Sequence, residues 1–273
     1  MIISTITSKG GRSYNQDYAA YETKSGFVII AVADGLGAYS GSEIASETAV
    51  KTVLSRFESY VGRGDDPINP NSVCKFFKSA HNAIVRQKAS SPELHSVCTT
   101  LSVVVADKTR FIAAHVGDSR IYFFRNGTLN FYSKDHSLAR AAVERGEITA
   151  AEIRGHEDQN KLTRVLGSDA FSAPDYKICT DYTEGDAILI CTDGFWEYVY
   201  EYEMERVLRS TDGANPALKK MEELLLARAP EGNDNYTATL LRFAEPRRAT
   251  SEENASNPAK NKTRNTVKEA RNV

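Results

Sequence analysis

Six stretches of the chain are dense in β-branched and aromatic residues and bounded by Gly, Asn or Asp: 27–33, 101–106, 111–116, 121–125, 187–191 and 236–243. They predict strands. Asn126-Gly127 directly after 121–125 supplies the two residue types that best tolerate a positive φ, so 121–132 predicts a hairpin. Apolar residues recur instead at helical spacing over 42–59, through Ile44, Ala45, Thr48, Ala49, Val53 and Phe57, and helices are also predicted over 72–88, 138–145 and 216–229. Strands arrive in groups with helices between the groups, which favours an α+β fold with largely antiparallel sheets over a doubly wound parallel one. No internal repeat and no second domain stands out.

From 245 onward the pattern stops. The segment 245–273 has seven basic and four acidic residues, no aromatic and one interior Val. Such a composition cannot bury enough apolar surface to offset its ordering entropy. A domain over 1–244 followed by a disordered basic tail over 245–273 is expected. The whole chain has 273 residues, with 34 Lys+Arg against 36 Asp+Glu and a net charge of −2. Bulk attraction to nucleic acid or to an anionic membrane is therefore not expected. The longest apolar runs, 27–33 and 187–191, fall far short of the roughly 20 residues of a spanning helix. The start of the chain, Met-Ile-Ile-Ser-Thr-Ile-Thr, lacks a basic, then apolar, then small-residue leader, and a cytoplasmic protein is expected. Cys74, Cys98, Cys179 and Cys191 show no paired spacing and are expected to be reduced and buried.

Four aspartates stand at abrupt polar boundaries beside apolar or Gly-rich segments: Asp17, Asp34 before Gly35, Asp193 before Gly194, and Asp234. One Asp-Gly after a strand is merely a turn. Two of them, with Asp-rich turns at both ends of the domain, point further. Carboxylates that converge must relieve their repulsion by raised pKa values or by cations. Oxygen-only ligands without a His or Cys cluster select hard ions such as magnesium or manganese. Paired ions of that kind activate water and neutralise charge on a phosphoryl group. Other phosphate chemistry lacks its residues. There is no Gly-x4-Gly-Lys-Ser/Thr loop, no His-Glu-x-x-His, no Cys with an Arg six residues on, and no Asp-x-Asp.

Eight short motifs follow one another in the chain. They are Arg12-x-x-Asn15-Gln16-Asp17; Asp34-Gly35-Leu36-Gly37 with Glu43-x-Ala45-Ser46; Thr99-Thr100-Leu101; Val116-Gly117-Asp118-Ser119-Arg120 with Tyr122; Asp135-His136-Ser137; Leu162-Thr163-Arg164-Val165-Leu166-Gly167; Thr192-Asp193-Gly194; and Asp234-Asn235-x-Thr237. In this order, from Arg12 to Phe243, they resemble the metal-dependent, type 2C serine/threonine protein phosphatases in a compact bacterial form. The resemblance implies an α-β-β-α sandwich, two antiparallel sheets flanked by helices, with the metal centre at one end between the sheets. It also implies that Asp17, Asp34, the Gly35 carbonyl, Asp193 and Asp234 hold two Mn2+ or Mg2+ ions, and that Asp118 helps hold a third, weaker one. Arg12 would grip the substrate phosphate, its planar fork suiting two oxygens better than a lysine. Thr99, Thr100, Ser119, Arg120, His136 and Ser137 are expected to act as scaffold.

The implied activity is hydrolysis of phosphoserine and phosphothreonine by activated water. Its partners would be phosphorylated proteins made by a serine/threonine kinase, with the chain a monomer. The alternative from another class is a non-catalytic phosphoprotein-binding regulatory module of the same fold, and a small-phosphate hydrolase is a third reading. Departures from the family pattern are Ala38 and Tyr39 after Gly37, Leu36 where some members place a histidine, and Cys98 for a frequent glycine. The polar stretch 138–159 covers the family's mobile flap and reads as a solvated helix-turn-helix. Trp196, the single tryptophan, reads as a core anchor rather than a substrate platform.

Overall fold

A computed structural model describes residues 1–37, 41–169 and 171–243. Ala38, Tyr39 and the expected tail 245–273 lie outside the described residues. In chain order the elements are β1 (Ile2–Ser8), β2 (Asp17–Lys24), β3 (Phe27–Leu36), α1 (Ser42–Gly62), α2 (Pro70–Ser90), β4 (Cys98–Thr99), β5 (Leu101–Ala106), β6 (Phe111–Val116), β7 (Arg120–Arg125), β8 (Thr128–Tyr132), α3 (Leu138–Glu144), β9 (Asp175–Cys179), β10 (Ala187–Cys191), α4 (Asp193–Trp196), α5 (Glu201–Ser210), α6 (Ala214–Arg228) and β11 (Tyr236–Arg242).

Two antiparallel sheets result, ordered β1-β11-β10-β7-β8 and β2-β3-β5-β6-β9, with β4 paired to the end of β3. Three apolar layers hold them. One lies between α1–α2 and the second sheet, one between the first sheet and α4–α6, and one between the sheets. This is the expected α-β-β-α sandwich. The continuous apolar runs follow from it, because the central strands are buried on both faces. In β3, Ile29, Ala31 and Ala33 face the helices while Val28, Ile30 and Val32 face the other sheet. In β10, Leu189 and Cys191 face helices and Ile188 and Ile190 the inter-sheet core.

The strands predicted over 101–106, 111–116 and 187–191 coincide with β5, β6 and β10. The hairpin turn at Asn126-Gly127 has φ of 47° and 75°, the paired positive values that a tight hairpin requires. Four strands escape the sequence pattern, the two-residue β4 among them. β2 and β9 are edge strands that mix charged residues with exposed Tyr21, Tyr176 and Ile178, and β1 shares its threonines with β11 through Thr5–Thr239 and Thr7–Thr237 hydroxyl pairs at 3.0 and 2.8 Å. Helix α5 is likewise absent from the sequence expectation.

Two further expectations are corrected. Stretch 138–159 holds one helix, α3, followed by a single 3-10 turn over Ala150–Ile153, because Gly146 and Gly155 take φ of 75° and 80° and stop any second helix. Of the four cysteines, all unbridged, only Cys179 and Cys191 are buried, while Cys74 and Cys98 are partly exposed.

Candidate metal centre

The register of β2 on β3 sets Asp17 directly opposite Asp34. Strand β3 does not end at residue 33, as its apolar run suggests. It continues to Leu36, where Gly35 and Leu36 pair with Thr99 and Cys98 of β4. Asp34 is thus a strand residue and not a turn residue. Its backbone is held on both sides: the Thr100 hydroxyl accepts its N–H at 2.9 Å, and the Thr99 hydroxyl donates to its carbonyl at 2.7 Å. Thr100 in turn meets the Ser119 hydroxyl at 2.7 Å.

Asp193 opens the four-residue α4 behind the N-cap Thr192. The Thr192 hydroxyl donates to Asp17 Oδ2 at 2.8 Å and accepts the Thr237 N–H at 3.0 Å, so the Asp193 turn, β2 and β11 meet at one threonine. Asp234 precedes β11, and its carboxylate accepts the Arg12 guanidinium at 2.8 Å. Asn235 sews the first loop onto the last: its amide oxygen accepts the Gln16 N–H at 2.8 Å and its amide nitrogen donates to the carbonyls of Lys9 and Tyr14 at 2.9 and 3.0 Å.

The glycines of both Asp-Gly pairs have a purpose other than turning. A Cβ on Gly35 would stand 2.3 Å from the Ser42 carbonyl oxygen and 2.8 Å from that of Gln16. On Gly194 it would stand 2.1 Å from the Asn235 carbonyl oxygen. Each glycine lets backbone approach backbone where a second aspartate sits next door, Asp17 after Gln16 and Asp234 before Asn235.

The described structure therefore brings Asp17, Asp34, Asp118, Asp193 and Asp234 into one electrostatically coupled group. Asp17 and Asp118 are buried, whereas Asp34, Asp193 and Asp234 are partly open to solvent, so the cluster is reachable. Burial, reinforced by Asp193 and Asp234 and opposed by hydrogen bonds from Thr237 and Thr192, lifts Asp17 to about 7. Burial and Asp234 lift Asp193 to about 6. Asp34 is pushed well up by desolvation and by Asp193, Asp17, Asp118 and Asp234, and Asp118 by desolvation, Asp193 and Asp135.

Glu197, four residues after Asp193, joins the group, pushed up to about 7 by burial and the charges of Asp193 and Asp234. Sequence reading missed it, although its helical spacing from Asp193 was a usable signal. The scaffold residues fall beside this group. The Ser137 hydroxyl caps α3, and His136 Nδ1 accepts the Gly117 N–H at 3.0 Å. Burial, His115 and Arg164 depress His136 to about 4, which keeps that acceptor neutral.

A hard cation fits this donor set. Asp17 Oδ1 and Asp118 Oδ1 are buried acceptors with no hydrogen-bond partner, and such orphans call for an ion or water. Among the described residues no three acidic, His or Cys groups already form a cage for one ion.

The pKa directions carry a stability prediction. A carboxyl lifted by folding binds its proton more tightly in the native state, so unfolding releases protons and stability falls as pH rises. For Asp17 and Asp193 the window opens near the ordinary value of 3.8 and closes at about 7. Chelator-treated protein is expected to melt at a lower temperature at about pH 7.5 than at about pH 5, and added Mn2+ should remove most of that difference. Calorimetric melts at the two pH values check it.

The protein phosphatase 2C profile matches residues 9–242. The chain belongs to the protein phosphatase 2C family. It is a metal-dependent protein phosphatase. A serine/threonine phosphatase, stp, of Listeria welshimeri is 30% identical over 233 residues, spanning 84% of this chain and 90% of its own. The solved serine/threonine phosphatase of S. agalactiae superposes with a TM-score of 0.76 at 27% identity, covering 89% of this chain and 99% of that one. The catalytic domain of the phosphatase PstP, solved in complex with two manganese ions, shares the fold at a TM-score of 0.74 and 23% identity, over 89% and 98% of the two chains. Among the described residues of this 2C phosphatase no helix is long and apolar enough to cross a membrane.

Proposed function

We propose that this phosphatase removes phosphate from phosphoserine and phosphothreonine in proteins, using two Mn2+ or Mg2+ ions held by Asp17, Asp34 with the Gly35 carbonyl, Asp193 and Asp234. The observation that carries this reading is the meeting of four aspartates from both ends of the chain beside one exposed arginine. When bound, such an ion pair supplies an activated water and offsets charge building on the phosphoryl group. Asp118 would assist a third, weaker ion, with Glu197 at its border.

The protein's own contribution is positioning. Arg12 is more than half exposed, with Asp234 as its partner at 2.8 Å. A phosphate monoester arriving at the mouth offers the guanidinium two oxygens in place of one carboxylate oxygen, and the fork turns onto it. Thr99 and Thr100 keep Asp34 from following, and Asn235 keeps the Arg12 loop against the Asp234 loop. Leu36, paired in register with Cys98, offers no proton to the leaving group, so that proton comes from water at the site.

The catalytic unit is assigned to 1–244, with 245–273 as a basic tail. We place the protein in the cytoplasm as a monomer acting on the products of a serine/threonine kinase. The non-catalytic alternative draws no support from a cluster in which no carboxylate is missing.

Incubation with a phosphothreonine peptide and Mn2+ tests the reading, and turnover undiminished by chelator would refute it. Arg12→Lys is expected to lower kcat/KM by about 10-fold or more through KM, since the point charge replaces a bidentate grip. Its effect on stability should stay below about 1 kcal/mol, because the Arg12–Asp234 pair is exposed. Steady-state kinetics beside a thermal melt separate the two.

A further inference from the structure

We infer that Trp196 is a positioning residue that fixes the spacing of Asp118 and Asp193 and thereby sets the affinity of the third, weaker cation site. This rests on the metal reading of those two carboxylates. The chain passes from one sheet to the other through residues 117–119, between β6 and β7, with Gly117 at φ +106°. Each carbonyl of that short crossing is held by a donor from a different part of the fold. His136 N–H donates to Gly117 at 3.0 Å, the Ser102 hydroxyl to Ser119 at 2.6 Å, and the Trp196 indole N–H to Asp118 at 3.0 Å. Only the last touches Asp118 itself.

Trp196 lies on α4, three residues after Asp193. One rigid turn of helix thus carries both the Asp193 carboxyl and the indole that grips Asp118. The ring cannot swing. The Arg120 guanidinium stands 3.5 Å from its centroid and is itself fastened to Asp135 by two bonds of 2.8 and 2.7 Å. All three side chains are buried. Asp118 Oδ1 meanwhile is buried with no hydrogen-bond partner, so no bond at that oxygen competes with the hold on the backbone. The core-anchor role read from the sequence accounts for the ring; the N–H is the part with chemical consequence.

The chain has a single tryptophan, so feeding a tryptophan auxotroph with benzothienylalanine exchanges this one N–H for sulfur and keeps the bicyclic ring. Full-length protein is then titrated with Mn2+ by calorimetry and by the electron-spin signal of free Mn2+, with thermal melts in chelator. The expected result is two tight ions bound as in unsubstituted protein, a weak site loosened by about 10-fold, and a parallel rise in the Mn2+ concentration for half-maximal turnover. Trp196→Phe should reproduce it. A weak-site isotherm unmoved in both proteins would overturn the inference, as would loosening of all sites together with a large drop in melting temperature, which marks a packing residue only. If Asp118→Asn leaves the Mn2+ isotherm of the otherwise unaltered protein unchanged, there is no weak site to position and the inference falls, while the two-ion reading stands or falls on chelation.

Discussion

Asp34→Asn is expected to reduce phosphopeptide turnover by at least 10²–10³-fold, an order-of-magnitude figure for removing one preorganised charge from a transition-state site. The same change should raise the melting temperature of the chelated protein. Asparagine keeps the shape of the side chain, and the backbone bonds to Thr99 and Thr100 do not depend on the carboxyl. What disappears is a charge that Asp17, Asp118, Asp193 and Asp234 all oppose. Function and apo stability therefore move in opposite directions, the mark of a group kept for binding rather than for folding. Melts in EDTA beside assays in saturating Mn2+ test both halves, and turnover within about tenfold of the parent would remove Asp34 from the site.

The second large effect is expected from a single methyl group. Gly194→Ala places a carbon 2.1 Å from the Asn235 carbonyl oxygen, a backbone atom that cannot swing away. Helix α4 must retreat from the 234–235 segment, opening the gap between Asp193 and Asp234. Overpacking of this kind costs about 1–3 kcal/mol. A displacement of about 1 Å at the reacting groups is worth roughly 10² in rate. Gly62→Ala is the control. That residue ends α1 with no atom within 4 Å of its absent Cβ, and the change should be neutral or slightly stabilising. Comparable losses in both variants would show that glycine removal as such, and not the close approach, is responsible.

Gly35 and Gly194 mark the boundary of what the sequence could tell. The central strands β5, β6 and β10 were readable because burial on both faces leaves their residues no choice but apolar ones. β1, β2 and β9 were not, since threonine pairs in β1 and charges scattered among the exposed residues of the edge strands β2 and β9 imitate loop composition. For the candidate site, the order of the motifs singled out the aspartates and Arg12. The local pattern alone left Asp34-Gly35 and Asp193-Gly194 as ordinary turns, because a close approach to Ser42 or Asn235 depends on chain segments far away in number. The bridging role of Asn235, named only as part of its motif, and Glu197 itself were missed for a similar reason. An amide that joins residues more than two hundred positions apart has no signature in its own stretch of sequence, and the four-residue spacing of Glu197 from Asp193 says nothing of the neighbours that set its proton affinity.

The placement of β11 between β1 and β10 has a bearing on biosynthesis. A ribosome delivers β1 first and β11 after every other strand, so the place between β1 and β10 in the first sheet stays unfilled throughout translation. Pairs such as Ser8 with Tyr236 close a loop of more than two hundred residues, which makes this a late and slow event. Asp234 arrives with that closing strand. On the proposed two-ion reading, a nascent or prematurely terminated chain lacks one of the four carboxylates, so enzymatic competence is expected only of polypeptides that have been read through to the final strand.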